Sequence, residues 1–340
     1  MFIEFMTPLK NLLFILLVFV TATAFALPPA GFVVGWGIGS GARSGTPQPS
    51  PQDLADVVAI SAGFRHGMAL KSDGRVIVWG HIGTNLAAAP PDLTDVIAIS
   101  AGERFCLALK KNGSLVAWGE DLHGETHVPP GLSNVIAIAA GKERSLALRS
   151  DGTVVGWGAN SGAGLKAPSN IAAIATGGSQ YERNLAIKRD GTVVPWGNEA
   201  EAPHRLSNIV AIAVGDHHSL ALRSDGTVVG WGDNGAGQST GIPTQESPYE
   251  DSGPVQIGGN ILDNVVAIAA GKDFGIVGVD NRFSLALRKD GKVTAWGHID
   301  GKPVTVPVEL RDVVAIAAGR GFCLAITTNK AVADQFEHMK

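Results

Sequence analysis

Cysteine is nearly missing from this chain, with two residues in 340. A disulfide framework is therefore excluded. Cys106 and Cys323 both stand in the string Phe-Cys-Leu-Ala, in repeat units too far apart for the roughly 7 Å Cα limit of a bridge. They are expected as buried free thiols that behave as small hydrophobes. An excess of one charge is missing too. The 27 Lys and Arg against 31 Asp and Glu leave a net charge of −4, so no overall basic field gathers nucleic acid or an anionic membrane surface. Signatures of catalysis are also lacking. No Ser sits in a GxSxG elbow, no carboxylate pair recurs, and the run Gly35, Gly37, Gly39, Gly41 has no GxGxxG register and no following helix. Two histidine groupings, His217-His218 and His123 with His127, fail as zinc ligands. The first pair points to opposite faces of an extended segment, and the second runs into Pro129-Pro130. No metal and no cofactor is expected.

What the chain has in quantity is glycine, 44 residues, at fixed offsets in a repeat. The unit is clearest in Asn134–Gly158, NVIAIAAGKERSLALRSDGTVVGWG. It reads as three short strands: a small-residue strand ending in Ala-Gly, an alternating SLALR strand, and a β-branched strand ending in Trp-Gly. Asp151-Gly152 joins the last two, and that dipeptide between alternating runs predicts a tight hairpin of type I′. Small-residue strands recur at Val57–Gly63, Val96–Gly102, Val135–Gly141, Ile171–Gly177, Ile209–Gly215, Val265–Gly271 and Val313–Gly319. Every Trp fills one slot: Trp36, Trp79, Trp118, Trp157, Trp196, Trp231 and Trp296.

The two series are out of phase. The first Trp strand, Gly31–Gly37, precedes any small-residue strand, and the last unit, Val313–Thr327, has no Trp strand. A linear array gains nothing from that offset, whereas a ring closes by pairing the two remnants and loses its exposed edges. The expected fold is all-β, a seven-bladed β-propeller closed by the N-terminal strand completing the last blade. The bland first strand suits a crowded axis, and the Trp suits the space between diverging blades. The Asp/Asn-Gly turns fall on one face of the disc. The segments after each Ala-Gly fall on the other, called the AG rim below.

Residues 1–26 read as a secretory signal. Lys10 precedes the apolar run Leu12–Val20, and Ala24-Phe25-Ala26 offers a small-x-small cleavage site. The run is short for a membrane span, although an uncleaved anchor is the alternative. The expected division is a signal peptide at 1–26, a propeller at 27–330 and a frayed C-terminal tail at 331–340. A secreted or periplasmic monomer follows from it. Two segments depart from the template: the stretch after Trp231, rich in Pro, Ser, Gly and acids and read as a mobile loop, and the insertion Lys272–Phe283.

Units such as IVAIAVGDHHSLALRSDGTVVGWG, Ile209–Gly232, resemble the repeat of the regulator of chromosome condensation family. The resemblance runs over Phe32–Thr327 and implies a seven-bladed propeller. With the signal, it is most similar to a secreted bacterial branch that includes the propeller-type β-lactamase inhibitor protein. That branch implies that residues between Ala-Gly and the LAL strand line the target-binding face. Here charged residues replace most of the aromatics expected there.

The same positions stand out without the family, because they vary from unit to unit while staying polar or aromatic. The candidate partner-binding set is Phe64, Arg65, His66, Glu103, Arg104, Lys142, Glu143, Arg144, Tyr181, Asp216, His217, Asp273, Phe274 and Arg320. The expected function is an exported, non-enzymatic protein-binding propeller with a protein partner. The alternatives are an inhibitor of a secreted or periplasmic enzyme and, less fitting for an exported chain, a guanine-nucleotide exchange activity. Carbohydrate binding, which calls for exposed Trp, fits worst.

Overall fold

The structure is a computed structural model that describes residues 29–37, 54–82, 85–86, 88–159, 168–177, 183–197, 202–203, 206–244, 252–272 and 281–338. The signal region, Tyr181, Asp273 and Phe274 lie outside the described residues.

Seven antiparallel sheets stand around an axis. Their inner strands are Val57–Ala62, Val96–Ala101, Val135–Ala140, Ile171–Gly177, Ile209–Val214, Val265–Ala270 and Val313–Ala318. Each inner strand neighbours the next, and the seventh returns to the first. The middle strands begin at His66, Phe105, Arg144, Arg183, His218, Phe283 and Phe322. The outer strands of blades 1 to 6 carry the Trp residues. Blade 7 takes its outer strand from the other end of the chain: Phe32–Gly37 pairs antiparallel with Phe322–Thr327, Trp36 opposite Cys323. The ring is a closed seven-bladed propeller.

The core is divided among the joints between blades. One cluster joins Met68 and Leu70 of blade 1 to Val96, Cys106 and Trp118 of blade 2, and similar clusters fill the other joints. Each Trp packs into the joint before its own blade, where diverging sheets leave volume that a large side chain fills. Opposite each Trp stands a small residue: Gly67, Cys106, Ser145, Asn184, Ser219, Ser284 or Cys323. Both cysteines are buried free thiols, as expected.

Three sequence expectations change. The Asp-Gly turns are not type I′, because only the glycine has positive φ, 83° at Gly74 and 81° at Gly152. Gly74 N donates to Lys71 O and Lys71 N to Arg75 O, a three-residue turn with the glycine in a bulge. The Asp side chain accepts from the amide two residues on, as Asp151 does from Thr153 at 2.9 Å. Second, the stretch after Trp231 is built structure where described. Ser252–Pro254 adds a fourth strand to blade 5, and Gln256–Ile257 pairs with Asn260–Ile261. Third, the expected frayed tail is a helix, Lys330–His338. It buries Val332, Ala333 and Phe336 against Val34, Leu310 and Ala325 at the closing seam.

A further regularity sits at the foot of each blade. Asp56, Asp95, Asn134, Asn170, Asn208, Asn264 and Asp312 all have φ between 55° and 62°, the left-handed region that Asn and Asp tolerate best among non-glycine residues. Each accepts, through its carbonyl, an amide from the end of its own middle strand, as Asp56 does from Ser72.

Candidate functional site

The AG rim is built from one turn used again and again. The glycine ending the inner strand donates its amide to the first residue of the middle strand: Gly63 to His66, Gly102 to Phe105, Gly141 to Arg144, Gly215 to His218, Gly271 to Phe283 and Gly319 to Phe322. The insertion in blade 6 leaves this closure intact. One position earlier, the carbonyls of Arg65, Arg104, Glu143, His217 and Arg282 accept the amides that follow the Trp-Gly of the outer strands, from His81, Glu120, Ala159, Asp233 and His298. These five residues are equivalent, and their backbones are pinned on both sides. Arg65 is exposed, and Arg104, Glu143 and Arg282 keep 44%, 35% and 37% of their side-chain surface open. The pinning lowers the ordering cost of any contact made there.

The remaining candidates fall elsewhere. His66 is fully buried, and Phe64, Glu103, Arg144, Asp216 and Arg320 are each buried to within 8% of complete enclosure. Arg320 lies over the Phe64 ring, 4.5 Å from its centroid, which joins blade 7 to blade 1. The Arg144 guanidinium donates through Nε and Nη2 to Ala159 O, tying the middle strand to the outer one. Lys142 is half-buried, its ammonium 3.9 Å from the Glu143 carboxylate. These placements give His66, Phe64, Arg144 and Arg320 packing roles within the ring rather than surface ones.

Arg282 is the rim residue that sequence reading passes over. It sits one residue before Phe283, as Arg65 sits before His66, but the insertion hides the register. It pairs with Asp233 of blade 5 at 3.0 Å. Arg104 pairs with Glu103 at 3.3 Å and Glu120 at 3.2 Å. His123 faces Glu143 at 3.6 Å. The rim thus carries alternating short charge clusters.

At the centre of the rim stands half-buried Lys272. Its amide donates to Gly319 O at 3.2 Å. Its ammonium crosses the ring to donate to Ala62 O at 3.1 Å and Ala101 O at 2.9 Å, so this one residue of blade 6 bonds blade 7 through its amide and blades 1 and 2 through its side chain. Burial lowers its pKa to about 8, against the pull of the Asp216 and Glu103 carboxylates. Burial also raises the Glu103 carboxyl, against Lys142 and Arg104.

The closest approach to a nucleophile–base pair is Cys106 Sγ to His66 Nε2, 3.4 Å apart. Burial pushes the thiol well above its usual range and the imidazole down to about 3. Both groups are neutral near pH 7, unlike an activated thiolate–imidazolium pair. Among the described residues no group of three or more His, Cys, Asp or Glu could hold a metal ion.

The model of the regulator of chromosome condensation (RCC1) repeat matches residues 57–84, 96–125, 135–162 and 209–238, which fall on blades 1, 2, 3 and 5. Those four segments of the chain match the RCC1 repeat. Among solved structures, it is similar to Prp20p from Saccharomyces cerevisiae at 19% identity and a TM-score of 0.66, over 97% of this chain and 96% of that one. Human WBSCR16 matches at 17% identity and a TM-score of 0.62, over 87% of this chain and 100% of that one. The ectodomain of the Arabidopsis thaliana receptor kinase ACR4 matches at 18% identity and a TM-score of 0.58, over 80% and 92%. No curated protein matches the chain. At these identities the structural likeness speaks for the fold alone.

Proposed function

We propose that this RCC1-repeat propeller is a non-enzymatic binding protein that holds a protein partner on the AG rim. The observation that carries the reading is the set of equivalent, backbone-pinned positions Arg65, Arg104, Glu143, His217 and Arg282, which present Arg, Glu and His side chains from one repeated turn. A rigid ring that presents charged side chains from repeated, hydrogen-bonded turns has the form of a recognition surface. Supporting it, Prp20p, similar in fold, is described by its binding to Gsp1p and histones, and in a complex with Kap60. The signal-like residues 1–26 support a partner met outside the cytoplasm.

The test is capture from the producing cell's envelope and medium, by the wild type and by the triple variant Arg65→Ala, Arg104→Ala, Arg282→Ala. Each truncation removes about 0.5–1 kcal/mol at a rim contact, so capture of the wild-type partner should fall about tenfold or more, with thermal unfolding unchanged. Equal capture by both proteins would remove the rim from the reading. Arg144 is left out of the variant because its guanidinium is part of the blade.

A further inference from the structure

Two of the seven joints on the AG rim are made by histidine. His66 of blade 1 meets Cys106 of blade 2, Nε2 to Sγ 3.4 Å. His218 of blade 5 meets Ser284 of blade 6, Nε2 to Oγ 2.8 Å. Both imidazoles occupy the first position of the middle strand, both are at most 2% exposed, and both reach the residue opposite the next blade's Trp. The other five blades fill this slot with Phe105, Phe283 and Phe322, or with Arg144 and Arg183. The first three do not titrate, and the arginines stay charged while donating to Ala159 O and His217 O.

Neither histidine can take a proton without harm to its joint. The single hydroxyl proton of Ser284 goes to Gln238 O at 2.7 Å, so His218 donates from Nε2 and a further proton must enter on Nδ1, inside the joint. There the charge faces Arg183 and His217, which oppose it, and Asp233, which favours it. His66 faces the ammonium of Lys272, which opposes it, the Phe105 backbone, which favours it, and the Cys106 thiol. An imidazolium at either place is hydrated only when the blades separate.

We propose that His66 and His218 are acid-released clasps, and that acidification parts the ring at the joints between blades 1 and 2 and between blades 5 and 6. The ring then divides into an arc of blades 2 to 5 and an arc of blades 6, 7 and 1. Lys272 spans the first joint through Ala62 O and Ala101 O, keeps its charge in acid, and is the tether that opening must strain. Burial holds both imidazoles at about 3, down from 6.5. Their contribution to joint stability is therefore complete above 6.5 and is lost progressively as pH falls toward about 3.

Hydrogen exchange followed by mass spectrometry at neutral pH and at about pH 4.5, corrected for intrinsic exchange rates, tests the proposal. Free imidazole at about pH 4.5 is two pH units below its pKa, so opening at each clasp should rise roughly a hundredfold. Protection should fall in Val96–Ala101 and Val265–Ala270 and hold in Val135–Ala140 and Ile171–Gly177. In the double variant His66→Phe, His218→Phe the acid-specific loss should vanish. Phe already packs over the equivalent glycine in three blades, which favours a folded variant, and each single variant should silence its own joint alone. A uniform loss around the ring, or the same local loss in the variants, overturns the proposal.

Discussion

In blades 1, 2, 5, 6 and 7 the glycine that ends the inner strand is a steric requirement set by the residue that opens the next strand. A Cβ on Gly102 would stand 2.3 Å from Phe105 Cε1, one on Gly319 2.2 Å from Phe322 Cε1, and one on Gly63 2.3 Å from His66 Cε1. The ring occupies the place of the missing side chain and closes the joint. Gly102→Ala should therefore cost about 1–3 kcal/mol by overpacking, read as a lower thermal midpoint, and an unchanged midpoint would refute this account. The slot opposite Trp follows a similar logic. Ser145 and Trp157 both donate to Glu125 O, at 2.7 and 2.9 Å, and Ser284 and Trp296 both donate to Gln238 O at the same distances. In each case the carbonyl comes from the preceding blade's outer loop. Where the slot holds Cys106 or Cys323, the indole nitrogens of Trp118 and Trp36 meet no acceptor among the described residues. A thiol tolerates that dry site better than a hydroxyl. The sequence showed the residue types in these slots but not their direction. That is why His66, Phe64, Arg144 and Arg320 read as surface candidates although their side chains are buried in the ring.

Single elements decide how the ring is fastened. The helix Lys330–His338 begins at Asn329, whose side chain accepts the Val332 amide at 3.3 Å as an N-cap. It covers Val34 of the closing strand with Val332, Ala333 and Phe336. Phe336→Ala should cost about 3 kcal/mol and speed hydrogen exchange in Phe32–Gly37 before any other outer strand. Equal protection of all outer strands would show that the helix does not hold the seam. The helix was hidden in the sequence because nine residues with four apolar positions, three of them consecutive, give little periodicity, and helices of that length owe their stability to packing. The seven left-handed Asp and Asn residues were hidden for a different reason: a backbone angle leaves no mark in a single residue type shared with ordinary turns. The turn type was misread because Asp-Gly fits both the two-residue turn and the three-residue turn with a glycine bulge, and only the hydrogen bond from Lys71 to Arg75 tells them apart.

Across the whole molecule, architecture was the legible part. Seven Trp slots and seven small-residue strands, offset by one strand, are enough to require closure, since each blade buries its faces only against neighbours. The site was less legible, because the insertion in blade 6 displaced Arg282 from the register that exposes Arg65 and Arg104. Closure makes a direct prediction. A chain starting at Leu54 should keep blades 1 to 6 but present Phe322–Thr327 as an open edge, and should self-associate. A peptide with the sequence Gly31–Gly37 should restore the monomer. Self-association that the peptide leaves unchanged would mean the edge is covered in another way.

The seventh blade joins two strands far apart in the chain, Phe32–Gly37 and Phe322–Thr327. During synthesis Phe32–Gly37 waits without its partner while six blades assemble, and it pairs only when Phe322–Thr327 has emerged. A chain broken off anywhere before that point cannot seal. The split blade therefore acts as a check on completeness: only a chain made through Thr327 yields a sealed ring, and every product that stops short of it carries the exposed strands that cellular quality control recognises.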